Sequence, residues 1–229
     1  SQDPLAAMPH IDLLHPSRRI FNHRLENARL STIEMQVLGV RRGGDVPGFE
    51  IPQRYFDWLQ RRDGGLLEDV FHHNRLDVIS LASLLKHLAD LMEDNQGMGH
   101  GHQGDILRMA GLIHERGDPA KAGRILESLL ISHHPDVAMG ARRSLSLIHK
   151  KAHRWEDAAR LWQDLVAADP LDLFAVEELA KFYEHHSHEC ERALEVVQKL
   201  LDEAADLGND ERISLEHRLQ RLLFKTSSK

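Results

Sequence analysis

Small residues recur at a nearly constant spacing in the second half of this 229-residue chain. They form two series whose members lie 34 to 36 residues apart: Ala110, Ser146 and Ala180, then Ala122, Ala158 and Ala193. Within each repeat, the second small residue follows the first by 12 or 13 positions. Because small side chains let two helices pack closely, this spacing predicts three consecutive helix pairs.

Turn signals separate the two predicted helices of each pair, at Gly117–Pro119, His153–Trp155 and His185–Glu189. Pro135 and Pro170 are expected to close the first two repeats. The period and the small residues resemble the tetratricopeptide repeat, although the first-helix tryptophan of that family is missing from all three repeats. The resemblance implies a protein-interaction module over residues 105–229, and we expect its last helix, Asp210–Phe224, to cap the open end.

The first half of the chain also has a helical pattern. Apolar residues three and four apart predict one long or two short helices over Leu66–Met92, and Pro52 is typical of a helix start. Ser31 and Glu34 have the spacing of a capping box, which predicts a helix that ends before Gly39. No stretch alternates with the period of two that is typical of strands, so we expect an all-α fold.

The domain organisation follows from these patterns. Residues 1–7 are interpreted as an expression-vector remnant and a disordered start. Residues 8–95 form the first helical part, and the glycine-rich stretch 96–104 is the expected linker to the repeats at 105–229.

Composition excludes several classes of protein. The net charge of -7 argues against a protein that coats nucleic acid by bulk charge. The single cysteine, Cys190, excludes a disulfide framework and a zinc site built from several thiolates. No apolar run approaches the ~20 residues of a membrane span, and no signal peptide is evident, so a soluble cytoplasmic protein is expected.

The segment His72–Leu81 is the most informative for chemistry. On a helix, His73 and Asp77 are four residues apart and project from one face, with Cβ atoms about 5–6 Å apart. A general base and a metal ligand can share such a face and act on one substrate atom.

The residues around this pair resemble the C-terminal part of the YprB-type ribonuclease-H-like exonuclease domain. The segments that carry the resemblance are His10–Arg24, Leu30–Glu34, Pro47–Pro52, Tyr55–Phe56 and His73–Val78. The match covers roughly His10–Met92, and the family also has tetratricopeptide-like repeats after its nuclease domain. The resemblance therefore implies the helical C-terminal portion of a ribonuclease-H-like domain, followed by a helical-repeat array.

The resemblance further implies an exonuclease of the DEDD superfamily, which cuts DNA or RNA from the 3′ end with two divalent ions held by four carboxylates. Asp77 would be the fourth carboxylate and a ligand of Mg²⁺ or Mn²⁺, and His73 the general base. His72, five residues before the aspartate, is the alternative base. The other three carboxylates have no match in this sequence, so we expect the chain alone to be inactive. DNA ends in repair and a partner DNA helicase are the implied partners.

Several other groups have two interpretations. Arg18, Arg19 and Arg75 are candidate phosphate contacts, as are the pairs Arg41–Arg42 and Arg61–Arg62, although solvated helix faces are the simpler explanation of these arginines. The run His185–Cys190 contains zinc-ligand residue types but falls in a predicted turn. Trp155 and Trp162 are interpreted as core residues rather than a base-stacking platform.

Two functions follow for the chain. One is a fragment of a metal-dependent 3′–5′ exonuclease with a protein-interaction module. The alternative is a non-enzymatic, tetratricopeptide-like adaptor that binds a partner protein through residues 105–229.

Overall fold

The computed structural model describes residues 8, 10–93, 101–205 and 207–227. It divides the chain into two compact units, Ser1–Met109 and Ala110–Lys229. Every regular element within the described ranges is helical, which confirms the predicted all-α fold. The predicted start at 1–7 and residues 96–100 of the predicted linker lie outside the described residues, and Gln103 begins a helix.

The first unit contains four helices and most of a fifth: α1 (Leu14–Phe21), α2 (Leu30–Ile33), α3 (Ile51–Arg61), α4 (Glu68–Glu93) and α5 (Gln103–Glu115). A π-helical turn, Glu34–Leu38, continues α2, and 3-10 turns at Gly48–Glu50 and Gly64–Leu67 precede α3 and α4. Pro52 lies in the first turn of α3 as predicted, because its missing N–H would have no intrahelical acceptor there. The segment predicted as one long or two short helices is the single helix α4.

The capping box predicted at Ser31 and Glu34 is wrong. Ser31 lies inside α2, and the N-cap residue is Arg29, which makes no side-chain cap hydrogen bond. Oδ1 of Asn27, just before the helix, accepts hydrogen bonds from the Arg29 amide at 3.0 Å and from the Thr32 hydroxyl at 2.8 Å. Glu34 instead points into the protein and is buried. The end of this helix is as predicted, because Gly39 adopts the left-handed conformation, with φ of 68°, that glycine reaches without strain.

The core of the first unit is built from apolar residues of α1, α2 and α4. Those with the smallest exposure are Ile20, Phe21, Ile33, Leu84 and Leu88. On α4 the buried residues Leu84, Leu88 and Leu91 follow the three- and four-residue spacing of one helix face. This packing fixes the helix that carries His73 and Asp77.

The second unit is a series of helices in which each packs against the next. After α5 come α6 (Pro119–Leu129), α7 (Pro135–Lys151), α8 (Trp155–Ala168), α9 (Leu173–His185), α10 (Cys190–Glu203) and α11 (Asn209–Ser227). The predicted turns lie between α5 and α6, between α7 and α8, and between α9 and α10. The six small residues that predicted the pairs are all completely buried, at 0% exposure. None of the described helices has the length and apolar content that crossing a membrane requires.

One of the two prolines predicted to close a repeat has a different role. Pro135 does not close a repeat but lies in the first turn of α7, where the following repeat begins. Pro170 lies in the connection between α8 and α9.

Trp162 is a core residue at 1% exposure, as predicted, but Trp155 is only partly buried and stacks on His186 with ring centroids 3.8 Å apart.

Candidate functional site

The His73 and Asp77 side chains meet on one face of α4, as their spacing predicts. Nε2 of His73 lies 3.5 Å from Oδ2 of Asp77. The His73 side chain is 16% exposed and the Asp77 side chain 35%, so the pair lies at the edge of the protein rather than in an apolar interior. A molecule in solvent can therefore reach the carboxylate.

Asp45 holds the His73 ring from the other side. Nδ1 of His73 lies 2.9 Å from each carboxylate oxygen of Asp45. Asp45 itself follows Gly44, whose φ of 70° turns the chain, and its Oδ1 accepts the Val46 amide at 2.9 Å. Because a carboxylate accepts the Nδ1 proton, Nε2 of the neutral ring is left as the acceptor, on the side of Asp77.

Arg42 connects three carboxylates of this site. It donates from Nη2 to Oδ1 of Asp77 at 2.6 Å and from Nη1 to Oδ2 of Asp45 at 2.8 Å. Nη2 also donates to Oε1 of Glu34, whose side chain is 2% exposed. The π-helical turn that begins at Glu34 and the reversal of the chain at Gly39 bring Glu34 and Arg42 together. We call Glu34, Arg42, Asp45, His73 and Asp77 the α4 cluster.

The electrostatics of the α4 cluster follow from these contacts. The hydrogen bond to Glu34 raises the pKa of Arg42 above its usual value, against the effect of burial, and bonds to Asp45 and Asp77 act in the same direction. Burial alone would raise the pKa of Asp45, but hydrogen bonds from Arg42 and His73 outweigh it and lower that pKa. One permanent cation therefore faces three carboxylates.

The α4 cluster has the parts of a general base but does not fit a divalent ion by itself. Asp45 and the Asp77 Oδ1 atom are held by Arg42, and Glu34 is buried behind the same guanidinium. Mg²⁺ needs several oxygen ligands in near-octahedral order, and only one oxygen of Asp77 is outside these bonds. The predicted metal ligand is thus placed at the surface, without the further carboxylates that the ion requires.

The described part of the chain has one group of three residues with metal-ligand geometry, and it lies outside the α4 cluster. The ligand atoms of His23, His102 and Asp105 all lie within 4.8 Å of one another. However, Asp105 is 1% exposed and accepts a bidentate pair from Arg24, with Nη2 to Oδ2 at 2.6 Å, as well as His23 Nε2 at 2.8 Å. These contacts make the group an ion-pair cluster that ties the start of α5 to the turn after α1.

The other predicted site residues are placed apart from the pair. His72, the alternative base, is exposed, and its Nδ1 lies 3.2 Å from the Arg75 guanidinium. Arg18 and Arg19 are exposed in the last turn of α1. The structure therefore joins His73, and not His72, to Asp77 by a contact.

The run His185–Cys190 is occupied by structural contacts. His185 lies 3.5 Å from Glu184, and Glu189 pairs with Arg192 at 3.0 Å. Cys190 is a free, partly buried cysteine at the start of α10.

Glu34 and Asp45 were not predicted as members of the site, and Arg42 was predicted only as a candidate phosphate contact. Glu34 fits a local capping pattern, which hid its tertiary role. The available signal was Asp45, an acidic residue between a glycine pair and Pro47, since a charged residue in a tight turn beside a candidate base is a typical orienting group.

Comparisons with known proteins find a superfamily match over the part of the chain that contains this site. Residues 2–89 match the model of the RNase_H superfamily, and this range contains the whole α4 cluster. The uncharacterized protein YprB of Bacillus subtilis (strain 168) is 35% identical over 99% of this chain. The chain spans about half the length of this curated relative, at 56%. No solved structure matches this chain. These matches support a ribonuclease-H-like assignment for the first unit.

Proposed function

We propose that this chain is the helical C-terminal portion of a 3′–5′ exonuclease of the DEDD type, which acts on DNA ends during repair in the cytoplasm. The observation that carries the proposal is the oriented base: Asp45 holds His73 so that Nε2 lies 3.5 Å from the accessible carboxylate of Asp77. The family match over residues 2–89 supports the nuclease class.

Four residues of the α4 cluster, Arg42, Asp45, His73 and Asp77, have a part in this function. Asp45 accepts the Nδ1 proton of His73 and stabilises the ring when Nε2 takes a proton from the attacking water. Oδ2 of Asp77 lies 3.5 Å from that nitrogen, and the Asp77 side chain is partly exposed to solvent. Arg42 sets the positions of Asp45 and Asp77 while it compensates their charge.

The proposed cofactor is Mg²⁺ or Mn²⁺, which would supply the charge that stabilises the leaving oxygen. The residues of the α4 cluster do not hold it alone, because Arg42 already binds the carboxylates. We therefore propose that the 229-residue chain has no nuclease activity and that a longer form of the protein supplies the further carboxylates.

Degradation of a 3′-labelled single strand in Mn²⁺ tests this proposal. A longer form of the protein should shorten the strand, its Asp77→Ala variant should not, and the 229-residue chain should not. Asp90→Ala is the matched control, because Asp90 is exposed on the same helix and its carboxylate pairs with Lys86 at 2.6 Å. An intact strand with the longer protein, or full activity in Asp77→Ala, would refute the nuclease assignment.

We further propose that the second unit, with its tetratricopeptide-like repeats, binds a protein partner such as the DNA helicase that the family resemblance implies. The observation that favours this role is a cationic pocket between α7, α9 and α11. If the longer protein leaves DNA intact, this binding role becomes the function of the whole chain as a non-enzymatic adaptor.

A further inference from the structure

Helix α3 has no buried side chain, although it and the turn before it contain several large aromatic residues. Phe49, Tyr55 and Phe56 are 82%, 48% and 55% exposed. The helix packs mainly against the 3-10 turns Gly48–Glu50 and Gly64–Leu67 that flank it in sequence. One side of α3 therefore presents aromatic rings to solvent.

The exposed apolar residues form one ridge. The 3-10 turn leads directly into α3, and Phe49, Pro52, Phe56 and Leu59 follow the three- and four-residue spacing of a helix face. The ring of Tyr55 lies beside that of Phe56, with centroids 6.1 Å apart. We call these five residues the α3 ridge. Phe49 and Phe56 are about two turns, or about 10 Å, apart, which is the length of three stacked bases at about 3.4 Å each.

Two arginines at the C-terminal end of α3 add positive charge beside the ridge. Arg61 and Arg62 are exposed, and neither forms an ion pair with any residue that the structure describes. Cζ of Arg62 lies 5.6 Å from the ring centroid of Trp58. Exposed aromatic rings next to cations are the combination that binds single nucleic-acid strands, because rings stack on bases and arginines bind phosphates.

An ion pair fixes α3 to the helix that carries the α4 cluster. Nη1 of Arg54 donates to Oδ2 of Asp69 at 2.8 Å, and Asp69 lies in the first turn of α4. Asp69 precedes Asp77 by eight residues, which is about 12 Å along a helix. Three or four stacked nucleotides span this distance, so a strand that ends at Asp77 can extend to the α3 ridge. Phe71, a further phenylalanine with 66% exposure, lies between Asp69 and Asp77.

We propose that the α3 ridge binds the unpaired bases of a single DNA strand, with Phe49 and Phe56 stacked on bases and with Arg61 and Arg62 at phosphates. This inference rests on the proposed nuclease function. It adds the surface that positions the strand relative to the α4 cluster. The ridge residues are positioning residues, because the reacting atoms lie at Asp77 and His73.

Two features favour a strand over a protein segment as the occupant of the ridge. Arg61 and Arg62 are unpaired beside the rings, and phosphates supply the complementary charge, whereas an apolar protein segment leaves it uncompensated. The rings also stand on a convex helix surface, whereas the aromatic anchors of protein interfaces fill well-packed pockets. Bases need no pocket, since each has two flat faces on which a ring can stack.

Fluorescence anisotropy of the 229-residue chain with a labelled single DNA strand of about ten nucleotides tests the proposal. We expect binding that weakens as salt is added. A duplex of the same sequence should bind more weakly, because its bases are paired and stacked on one another. Phe56→Ala should weaken strand binding about tenfold, the effect of one lost stacking contact, and Phe56→Tyr should keep it.

Leucine at the same position separates stacking from simple apolar contact. Phe56→Leu keeps a large apolar side chain but removes the ring, so it should weaken binding as much as Phe56→Ala. Phe224→Leu is the matched control, because Phe224 is a phenylalanine of the second unit with 74% exposure, and it should bind like the wild type. Arg61→Gln should reduce the salt dependence by about one phosphate contact. All these side chains are exposed, so thermal unfolding should stay near the wild type.

The longer form of the protein provides a kinetic measurement. Phe56→Leu should raise the KM for the strand about tenfold, as in binding, with a much smaller change in kcat. A merely structural role of the ring would lower the amount of active protein and hence kcat instead.

Failure of this proposal differs from failure of the nuclease assignment. Equal binding by the wild type, Phe56→Ala and Phe56→Leu, or no binding of the strand, would overturn the ridge whatever the longer protein does to DNA. Loss in Phe56→Ala with full binding in Phe56→Leu would overturn base stacking and assign the ridge to apolar contact with a protein. Strand binding that requires the Phe56 ring would support the ridge, even if the longer protein left the strand intact and refuted the nuclease.

Discussion

Removal of the Arg42 guanidinium should destabilise the first unit strongly. In Arg42→Ala, the Glu34 carboxylate at 2% exposure loses the cation that compensates it, and Asp45 loses one of its two side-chain donors. Breaking a buried ion pair by removing one partner costs about 3–5 kcal/mol, because the other charge stays buried. Since about 1.4 kcal/mol corresponds to a factor of ten, local opening should become about 10² to 4 × 10³ times more frequent.

Hydrogen exchange of the α4 amides measures this effect in the first unit alone. The amides between Glu68 and Glu93 should exchange about 10² to 4 × 10³ times faster in Arg42→Ala than in the wild type, under conditions where opening is at equilibrium. Arg41→Ala is the matched control, because Arg41 is exposed and its loss should change exchange little.

A double variant tests the physical reason. The double variant Arg42→Met with Glu34→Gln removes both charges, and it should recover much of the protection from hydrogen exchange that Arg42→Met alone loses. Equal exchange rates in Arg42→Ala and Arg41→Ala would refute the reasoning. So would a double variant that is less protected than Arg42→Met alone.

Three further predictions concern packing and pH. Gly104→Ala should destabilise the first unit by about 1–3 kcal/mol in urea unfolding, because the new Cβ would lie 2.5 Å from Cε1 of His23 and displace the ring that bonds Asp105. Gly111→Ala on the same helix is the control and should be neutral or stabilising, since nothing lies within 4 Å of its Cβ. Trp162→Ala should lower the free energy of unfolding of the second unit by about 3–5 kcal/mol, measured by hydrogen exchange of the α8 amides. A loss under about 1 kcal/mol would contradict the buried packing of this side chain. Because the pKa of Glu184 is about 2 in the folded protein against an ordinary value of 4.5, its stabilising effect is complete above about pH 4.5 and is lost as the pH falls towards 2. The stability of the Glu184→Gln variant should therefore depend less on pH in this range. An acid-unfolding transition equal to that of the wild type would contradict this assignment.

Much of the helical architecture could be predicted because its signals are local. The small residues at Ala110, Ser146 and Ala180 recur with the period of a helix pair, and all three are fully buried where helices meet. Proline was harder to interpret, since the same residue can follow one helix or begin the next. Pro135 does the second.

The α4 cluster was only partly predictable, because its contacts join distant parts of the chain. His73 and Asp77 lie four residues apart on one helix, so their proximity follows from helix geometry. The contact between Asp45 and His73 joins residues 28 positions apart, and it depends on a turn at Gly44 that no periodicity describes. Glu34 matched a local pattern, but pairing with Arg42 buried it instead.

The most direct test of the central claim is the rate at which a longer form of the protein degrades a 3′-labelled strand in Mn²⁺, compared between His73→Gln and His72→Gln. Only His73 is held by Asp45 and contacts Asp77, whereas His72 is exposed beside Arg75. Loss of a general base typically lowers the rate about 10²–10⁴-fold, so the His73 variant should fall by this factor and the His72 variant should stay near the wild type. Equal rates in the two variants, or a loss confined to His72→Gln, would contradict the assignment of the α4 cluster as part of a nuclease site.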